Sequence, residues 1–345
     1  MRAENPGVVV PMHSTQSPSG IWDKAETHVL QDDFAVKVNK NSPADVSRTA
    51  IVEFVTALGL EIIPTYQPDI ELRQKIEETT RLWEDEEALR PFIVSAIFLT
   101  ETGYGHILDN NVKVIIALYT ALILIMDSPA IAEANNAIGI PQGLCQGSIH
   151  ATPGLIGTLA KLAKDSWDYF VPFAAGSIVI SILDHVNGEM LERLGDTDSD
   201  ALTSYPFVKY RRMLSGLPDA FSCFIWEKSR FPDVNAYLLA IPAANLVLTY
   251  INDILSLYKE ELAGETTYIH DRARTTGKPT LEALRDVAQE TVAAVEQVRA
   301  LLGEGDARDA WDSCVQGFVG YHIANPRYRL KEVLGGEYFI DLMKY

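Results

Sequence analysis

From Ala236 to Ile251 the chain runs sixteen residues without a charged side chain. At helical rise that is about 24 Å of nearly unbroken apolar surface, and a helix apolar on all sides is stable only when buried. Pro242 and Asn245 interrupt the run, so it reads as a core helix and not as a bilayer span. The character then changes abruptly to Asn252-Asp253-Ile254-Leu255-Ser256-Leu257-Tyr258-Lys259-Glu260. Asn252, Ser256 and Glu260 stand at i, i+4 and i+8, which places three oxygen-bearing side chains on one helical face. Composition leaves two readings of that face open. One is a solvated surface. The other is a site for a hard divalent cation such as Mg²⁺, which prefers oxygen ligands. Lys259 adds a positive charge that suits an anionic ligand on such a metal.

The rest of the chain bounds the choice. At 345 residues it is long enough for a large core, and 47% of its residues are hydrophobic. The formal charge of −18 argues against nucleic acid and anionic membrane as main partners, since both need basic surfaces, and leaves room for a local basic pocket. Cys145, Cys223 and Cys314 are few and far apart. They predict a reducing compartment without a disulfide framework and show no zinc-ligand spacing. The first twenty residues lack the apolar segment of a secretory signal. Val114–Met126, the purest apolar run, is too short to span a bilayer. A cytoplasmic protein without a membrane span is the expectation.

Helical spacing dominates after residue 43, and alternating strand patterns are nearly absent. Residues 1–43 read as a mostly irregular arm and 44–345 as one all-α domain. Helices are predicted over 45–60, 71–87, 90–102, 111–126, 154–170, 172–194, 205–215, 219–228, 233–262, 280–302 and 306–324. Thr280 is the predicted N-cap of its helix. Residues 195–204 read as a loop.

Within this pattern the chain resembles the fungal trichodiene synthase family of class I terpene cyclases. Asn252 to Glu260 matches the family's Asn-Asp-x-x-Ser-x-x-Lys-Glu motif at every fixed position. Arg211-Arg212-Met213 with Gly216-Leu217 resembles its Arg-Arg-Met-x-Gly-Leu segment, with one extra residue. Arg327-Tyr328-Arg329-Leu330 matches Arg-Tyr-Arg-Leu, and Phe170-Val171-Pro172-Phe173 echoes a Phe-Gly-Pro-Phe helix. The blocks keep the family's order between residues 90 and 332. The resemblance implies a class I terpenoid synthase-like helical barrel or bundle around a central cavity. It also implies three Mg²⁺ ions, a linear isoprenoid diphosphate as substrate, and the capacity to form a homodimer.

By the same resemblance Asn252, Ser256 and Glu260 chelate Mg²⁺. Arg211, Lys259 and Arg327 bind diphosphate oxygens, and Tyr328 donates a hydrogen bond to them. The break at Gly216-Leu217-Pro218 either turns a backbone carbonyl toward the cavity or is a plain inter-helix turn. The chain departs from the family at its other metal motif. Where an Asp-Asp-x-x-Asp variant is expected, the sequence reads Met126-Asp127-Ser128-Pro129. An ungapped alignment puts Met126 at the first aspartate, and a one-residue gap puts Asp127 there. Asp127 is the preferred metal ligand because a thioether cannot serve Mg²⁺. Glu133 lies beyond Pro129, and Asp109 is at the other end of the helix. Phe98, Tyr119, Phe173, Trp226 and Trp311 are aromatic candidates for the pocket, with packing as the competing role. Asp184, inside an apolar helix, either holds a structural network or polarises the pocket.

The implied activity is Mg²⁺-dependent cyclisation of farnesyl diphosphate to a C15 hydrocarbon or alcohol. The alternative is a catalytically impaired helical homologue that binds isoprenoid diphosphate or a protein partner, for which the degenerate segment around Asp127 argues. A chain-elongating prenyltransferase needs two aspartate-rich motifs, and the sequence has neither.

Overall fold

Every element of the computed structural model is helical, and no strand occurs among the residues it describes, 43–60, 66–150, 153–195 and 204–334. In chain order the helices are α1 (Pro43–Ala57), α2 (Ile70–Thr80), α3 (Glu86–Gly103), α4 (Asn110–Met126), α5 (Pro129–Ala134), α6 (Ile140–Gln146), α7 (Leu155–Tyr169) and α8 (Pro172–Gly195). They continue with α9 (Tyr205–Ser215), α10 (Pro218–Cys223), α11 (Ile241–Ala263), α12 (Tyr268–Thr276), α13 (Thr280–Leu302), α14 (Asp306–Ala324) and α15 (Lys331–Leu334). The arm predicted over 1–43 lies outside the described residues apart from Pro43, which opens α1. Most of the loop predicted over 195–204 also lies outside them.

Several boundaries differ from the sequence expectation for identifiable reasons. The helix predicted from Asp233 begins at Ile241, after two 3₁₀ turns (Val234–Ala236 and Leu238–Ala240). Pro242 has no N–H to donate and therefore belongs in a first turn. The helix predicted over 219–228 closes at Cys223, and Lys228 N instead donates to Tyr169 O at 2.9 Å. The segment predicted to continue to Glu87 leaves helix at Thr80, where Trp83 turns inward and its Nε1 donates to Thr158 Oγ1 at 3.0 Å. Thr280 is the first helical residue and Pro279 holds the cap position. The short helices α5, α6 and α12 fall where no helix is predicted.

The uncharged run of the sequence becomes a 3₁₀ turn and the first three turns of α11, mostly buried as its composition requires. Leu238–Ala263 is long and apolar enough to cross a membrane, but it packs against α1, α10, α12, α13 and α14. Seven helices close into a ring, each packed on the next: α3, α4, α7, α8, α10, α11, α14 and back to α3. Two glycines allow close helix approaches, one within this ring and one between the ring and α9. A Cβ on Gly317 of α14 would stand 1.9 Å from Thr102 O of α3, and one on Gly188 of α8 would stand 2.8 Å from Ser215 N of α9. Between α9 and α10, Leu217 is buried in the left-handed region, with φ +49°. That conformation costs a leucine about 1–2 kcal/mol. The surrounding ring must therefore hold the break in place.

Candidate functional site

Inside the ring lies an apolar chamber of about 140 Å³. Its wall comes from Leu99 of α3, Thr120, Ile123 and Leu124 of α4, Leu248 and Thr249 of α11, Phe318, Tyr321 and His322 of α14, and Tyr328 beyond α14. The break from Ser215 to Pro218, with Phe221, closes one side. The aromatic residues on α14 recur at helical spacing, so one stripe of that helix supplies three rings. A hydrogen-bonded chain sets the far part of the wall. Ser95 Oγ lies 2.9 Å from Tyr321 Oη, Asn325 Nδ2 donates to Ser95 Oγ at 2.9 Å, and Tyr328 Oη donates to Tyr321 Oη at 3.4 Å.

The chamber opens into a polar basin of about 830 Å³. Asp127, Arg212, Ser215 and Asn252 line both spaces and form the rim between them. The basin carries the carboxylates of Asp127, Glu133, Glu189, Asp253, Glu260 and Glu265 and the cations of Arg211, Arg212, Lys259 and Arg327. Acids outnumber bases there by six to four. A polyanion entering unaided meets net repulsion, which divalent cations would reverse.

The rim is ordered by one connected network. Arg212 donates from Nε to Asp253 Oδ1 at 2.7 Å and from Nη2 to Asn252 Oδ1 at 3.1 Å. His322 Nδ1–H donates to Phe318 O at 2.7 Å, which leaves Nε2 as an acceptor for Asn252 Nδ2 at 3.2 Å. Burial pushes the His322 imidazole down to about 3, so the ring is neutral, as this acceptor role requires. Asn252 is thereby fixed with its oxygen toward Arg212 and the rim. Burial pushes the Asp253 carboxyl up to about 6 against the pull of Arg212.

Ser256 is 1% exposed, and its Oγ has no hydrogen-bond partner among the described residues. Glu260 lines the basin and is paired with Lys259 at 3.0 Å. An amide oxygen, an orphaned hydroxyl and a carboxylate one turn apart fit a hard divalent cation. The unpartnered Ser256 hydroxyl is what such an ion would satisfy.

The other predicted residues are placed as follows. Asp127 caps the C-terminus of α4, lines the basin and is half-exposed, whereas Met126 is buried. Glu133, on α5, lines the basin, and Asp109 caps the far end of α4. Arg211 lines the basin but is ion-paired with Asp271 of α12. Arg327 lines the basin with its guanidinium 5.9 Å from the Phe92 ring centroid. The Tyr328 hydroxyl belongs to the chamber wall and not to the basin. Gly216 lies in the break that walls the chamber.

Other pocket candidates fall elsewhere. Phe173, at the start of α8, is 45% exposed and does not line the chamber, because the buried side of that first turn is taken by Ala174 and Ala175. Trp311 is fully buried two turns before Phe318 on the same side of α14 and does not line the chamber, and Trp226 stacks on Tyr237. Phe98 and Tyr119 pack one layer behind the wall, on Tyr321 and Phe221 respectively. Asp184 does not line the chamber, and its carboxyl is raised by burial and by Asp219. Sequence reasoning missed Arg212 as the rim arginine, and with it Asp253, His322, Phe221, Phe318, Tyr321 and Asp271. The recurrence of Phe318, Tyr321 and His322 at i, i+3 and i+4 was a legible signal for one face of α14.

The family model for trichodiene synthase (TRI5) matches residues 99–338. "Monoterpene synthase 25" of Postia placenta is 40% identical over 320 residues, covering 92% of this chain and 96% of its own. "Terpene synthase 29" of the same organism is 45% identical over 298 residues, covering 84% and 86%. Among solved structures, linalool/nerolidol synthase from Streptomyces clavuligerus superposes with a TM-score of 0.57 at 14% identity, covering 76% of this chain and 99% of that one. At that identity the superposition speaks for the fold alone.

Proposed function

The chain belongs to the trichodiene synthase (TRI5) family of terpene synthases, lyases acting on prenyl diphosphates, and from that membership we propose that it is a Mg²⁺-dependent sesquiterpene cyclase. It ionises farnesyl diphosphate, cyclises the carbocation to a C15 hydrocarbon or alcohol, and releases diphosphate. The observation that carries this reading is the shared rim, where one acid-rich basin opens through Asp127, Arg212 and Asn252 into one aromatic chamber.

Each side of the rim has its own task. Arg211, Arg212, Lys259 and Arg327 hold the diphosphate in the basin and offset the charge that develops on the leaving oxygens. Asn252, Ser256 and Glu260 on α11, with Asp127 across the basin, would hold the three Mg²⁺ ions of the reading. Bound Mg²⁺ supplies Lewis-acid charge for the departing group. Phe221, Phe318, Tyr321 and Tyr328 offer ring faces to a cation in the chamber. The apolar wall keeps water from the cation until the final quench.

The test is turnover of geranyl, farnesyl and geranylgeranyl diphosphate with Mg²⁺, with products separated by gas chromatography–mass spectrometry and released diphosphate counted. A cyclic C15 product from farnesyl diphosphate is expected. The name of the 40%-identical relative makes geranyl diphosphate the substrate to set against it. Turnover of geranyl diphosphate alone would move the assignment to C10. No diphosphate release from any chain length would overturn the enzyme reading and leave a binding homologue.

A further inference from the structure

We propose that α8 completes the cation site at the end of α4, so that Asp127, His185 and Glu189 form one mixed carboxylate–imidazole site that takes a first-row transition ion in preference to Mg²⁺. One ligand atom from each residue lies within 4.8 Å of the other two. His185 and Glu189 stand at i and i+4 and so share a face of α8. His185 is only 3% exposed, and neither ring nitrogen has a hydrogen-bond partner among the described residues. Its Nε2 points at Asp127, 3.8 Å from Oδ1. An unpaired buried imidazole is costly, and a metal ion held with the two carboxylates would satisfy it.

The chemistry follows from the donor set. Mg²⁺ favours an all-oxygen shell and dehydrates reluctantly. Imidazole suits later first-row ions, and affinity rises from Mn²⁺ toward Cu²⁺. A chain whose α4 ends in a single aspartate thus recovers ligands from a neighbouring helix, at the cost of changed metal preference. The inference rests on the proposed function only for what the metal does there; the site stands or falls by itself.

The experiment uses the metal-free full chain and Mn²⁺ alone, with and without inorganic diphosphate, followed by electron paramagnetic resonance. Wild type should show nitrogen coupling at bound Mn²⁺ by electron spin-echo envelope modulation. His185→Gln should lose that coupling, and Glu189→Gln should bind Mn²⁺ about tenfold more weakly at this site. Glu260→Gln should keep the coupling. Mg²⁺ should displace the nitrogen-coupled Mn²⁺ only at large excess. Circular dichroism checks that each variant is folded, and the wild-type spectrum is decisive even if one is not. Absence of nitrogen coupling in both conditions, or its persistence in His185→Gln, overturns the proposal. Diphosphate release from a prenyl substrate without nitrogen coupling would sink this site and spare the enzyme reading. Coupling without any release would do the reverse.

Discussion

Arg212 reaches Asn252 while Arg211 turns to Asp271, and the two differ by a single helical step of about 100°. A sequence shows an arginine pair but not which member faces a cavity, because that depends on the rotation α9 adopts against α8 and α12. The same limit explains Tyr328, whose neighbour Arg327 lines the basin while its own ring lines the chamber. The Asn252, Ser256 and Glu260 face was legible because it needs only the period of one helix. His322 was not, because its partner is 70 residues away. This residue yields a pH prediction. Its folded value of about 3 lies below the ordinary 6.5, so the unfolded chain takes up a proton that the folded chain refuses. The His322 contribution to stability is full above about pH 6.5 and falls as pH drops toward 3, by up to about 1.4 kcal/mol per unit. Asp253, raised to about 6, has the opposite sign: its contribution is full below 3.8 and is lost as pH rises through 6. Urea unfolding of wild type and His322→Gln at pH 7 and 4.5 should show the flatter response in the variant, with Asp253 cancelling in the difference. Equal slopes would refute the assignment. A second residue-scale prediction concerns Ser256. Its buried, unpartnered hydroxyl costs about 1–3 kcal/mol when no ion satisfies it. Ser256→Ala should therefore raise the metal-free melting temperature while lowering turnover at least tenfold, and a lower melting temperature would mean that the hydroxyl has a partner after all.

At the scale of elements, α4, α11, α13 and α14 were legible because each carries a long apolar period, and α9 because Gly216-Leu217-Pro218 stops it. α12 was not, because its buried residues include Asp271 and Arg272, which a sequence reading assigns to solvent. Asp271 is wholly buried between Arg211 and Arg274, and Arg272 is ion-paired with Glu290 of α13. α12 therefore ties α9 to α13 by charge pairs as well as by helix packing. Two helix contacts, α14 on α3 within the ring and α8 on α9 beside it, depend on missing side chains. Gly317→Ala would drive a methyl into Thr102 O and toward Gly103 Cα, both backbone atoms that cannot swing away. A loss of about 2–4 kcal/mol is expected, since overpacking shifts backbone and not just rotamers. Gly188→Ala pushes on Ser215, at the start of the α9–α10 break. It should lower turnover more than stability, because Arg212 and Gly216 move with that segment. Chemical unfolding paired with steady-state turnover separates the two variants, and a Gly188→Ala enzyme of wild-type activity would show that the break tolerates displacement.

For the whole molecule, the all-α class and the apolar interior followed from periodicity, whereas the ring closure that makes a chamber follows from which helices pack together. No single helix encodes the rim: α4, α9 and α11 each contribute to it. Neither did the net charge of −18 reveal that acids outnumber bases inside the basin itself. That imbalance leads to a prediction about assembly of the bound state. Inorganic diphosphate alone meets six carboxylates against four cations, and Mg²⁺ alone meets carboxylates partly engaged by Arg212 and Lys259. Each ligand supplies the countercharge that the other lacks, so their binding should be mutually reinforcing, with the coupling equal in both directions. Ligand that binds only the folded chain raises stability by mass action. The melting temperature should therefore rise modestly with either component and by clearly more than the sum of the two when both are present. Glu260→Gln should lose most of that excess. If diphosphate alone stabilised the chain as much as the pair does, the basic side chains would suffice and the metal-dependent reading of the basin would fail.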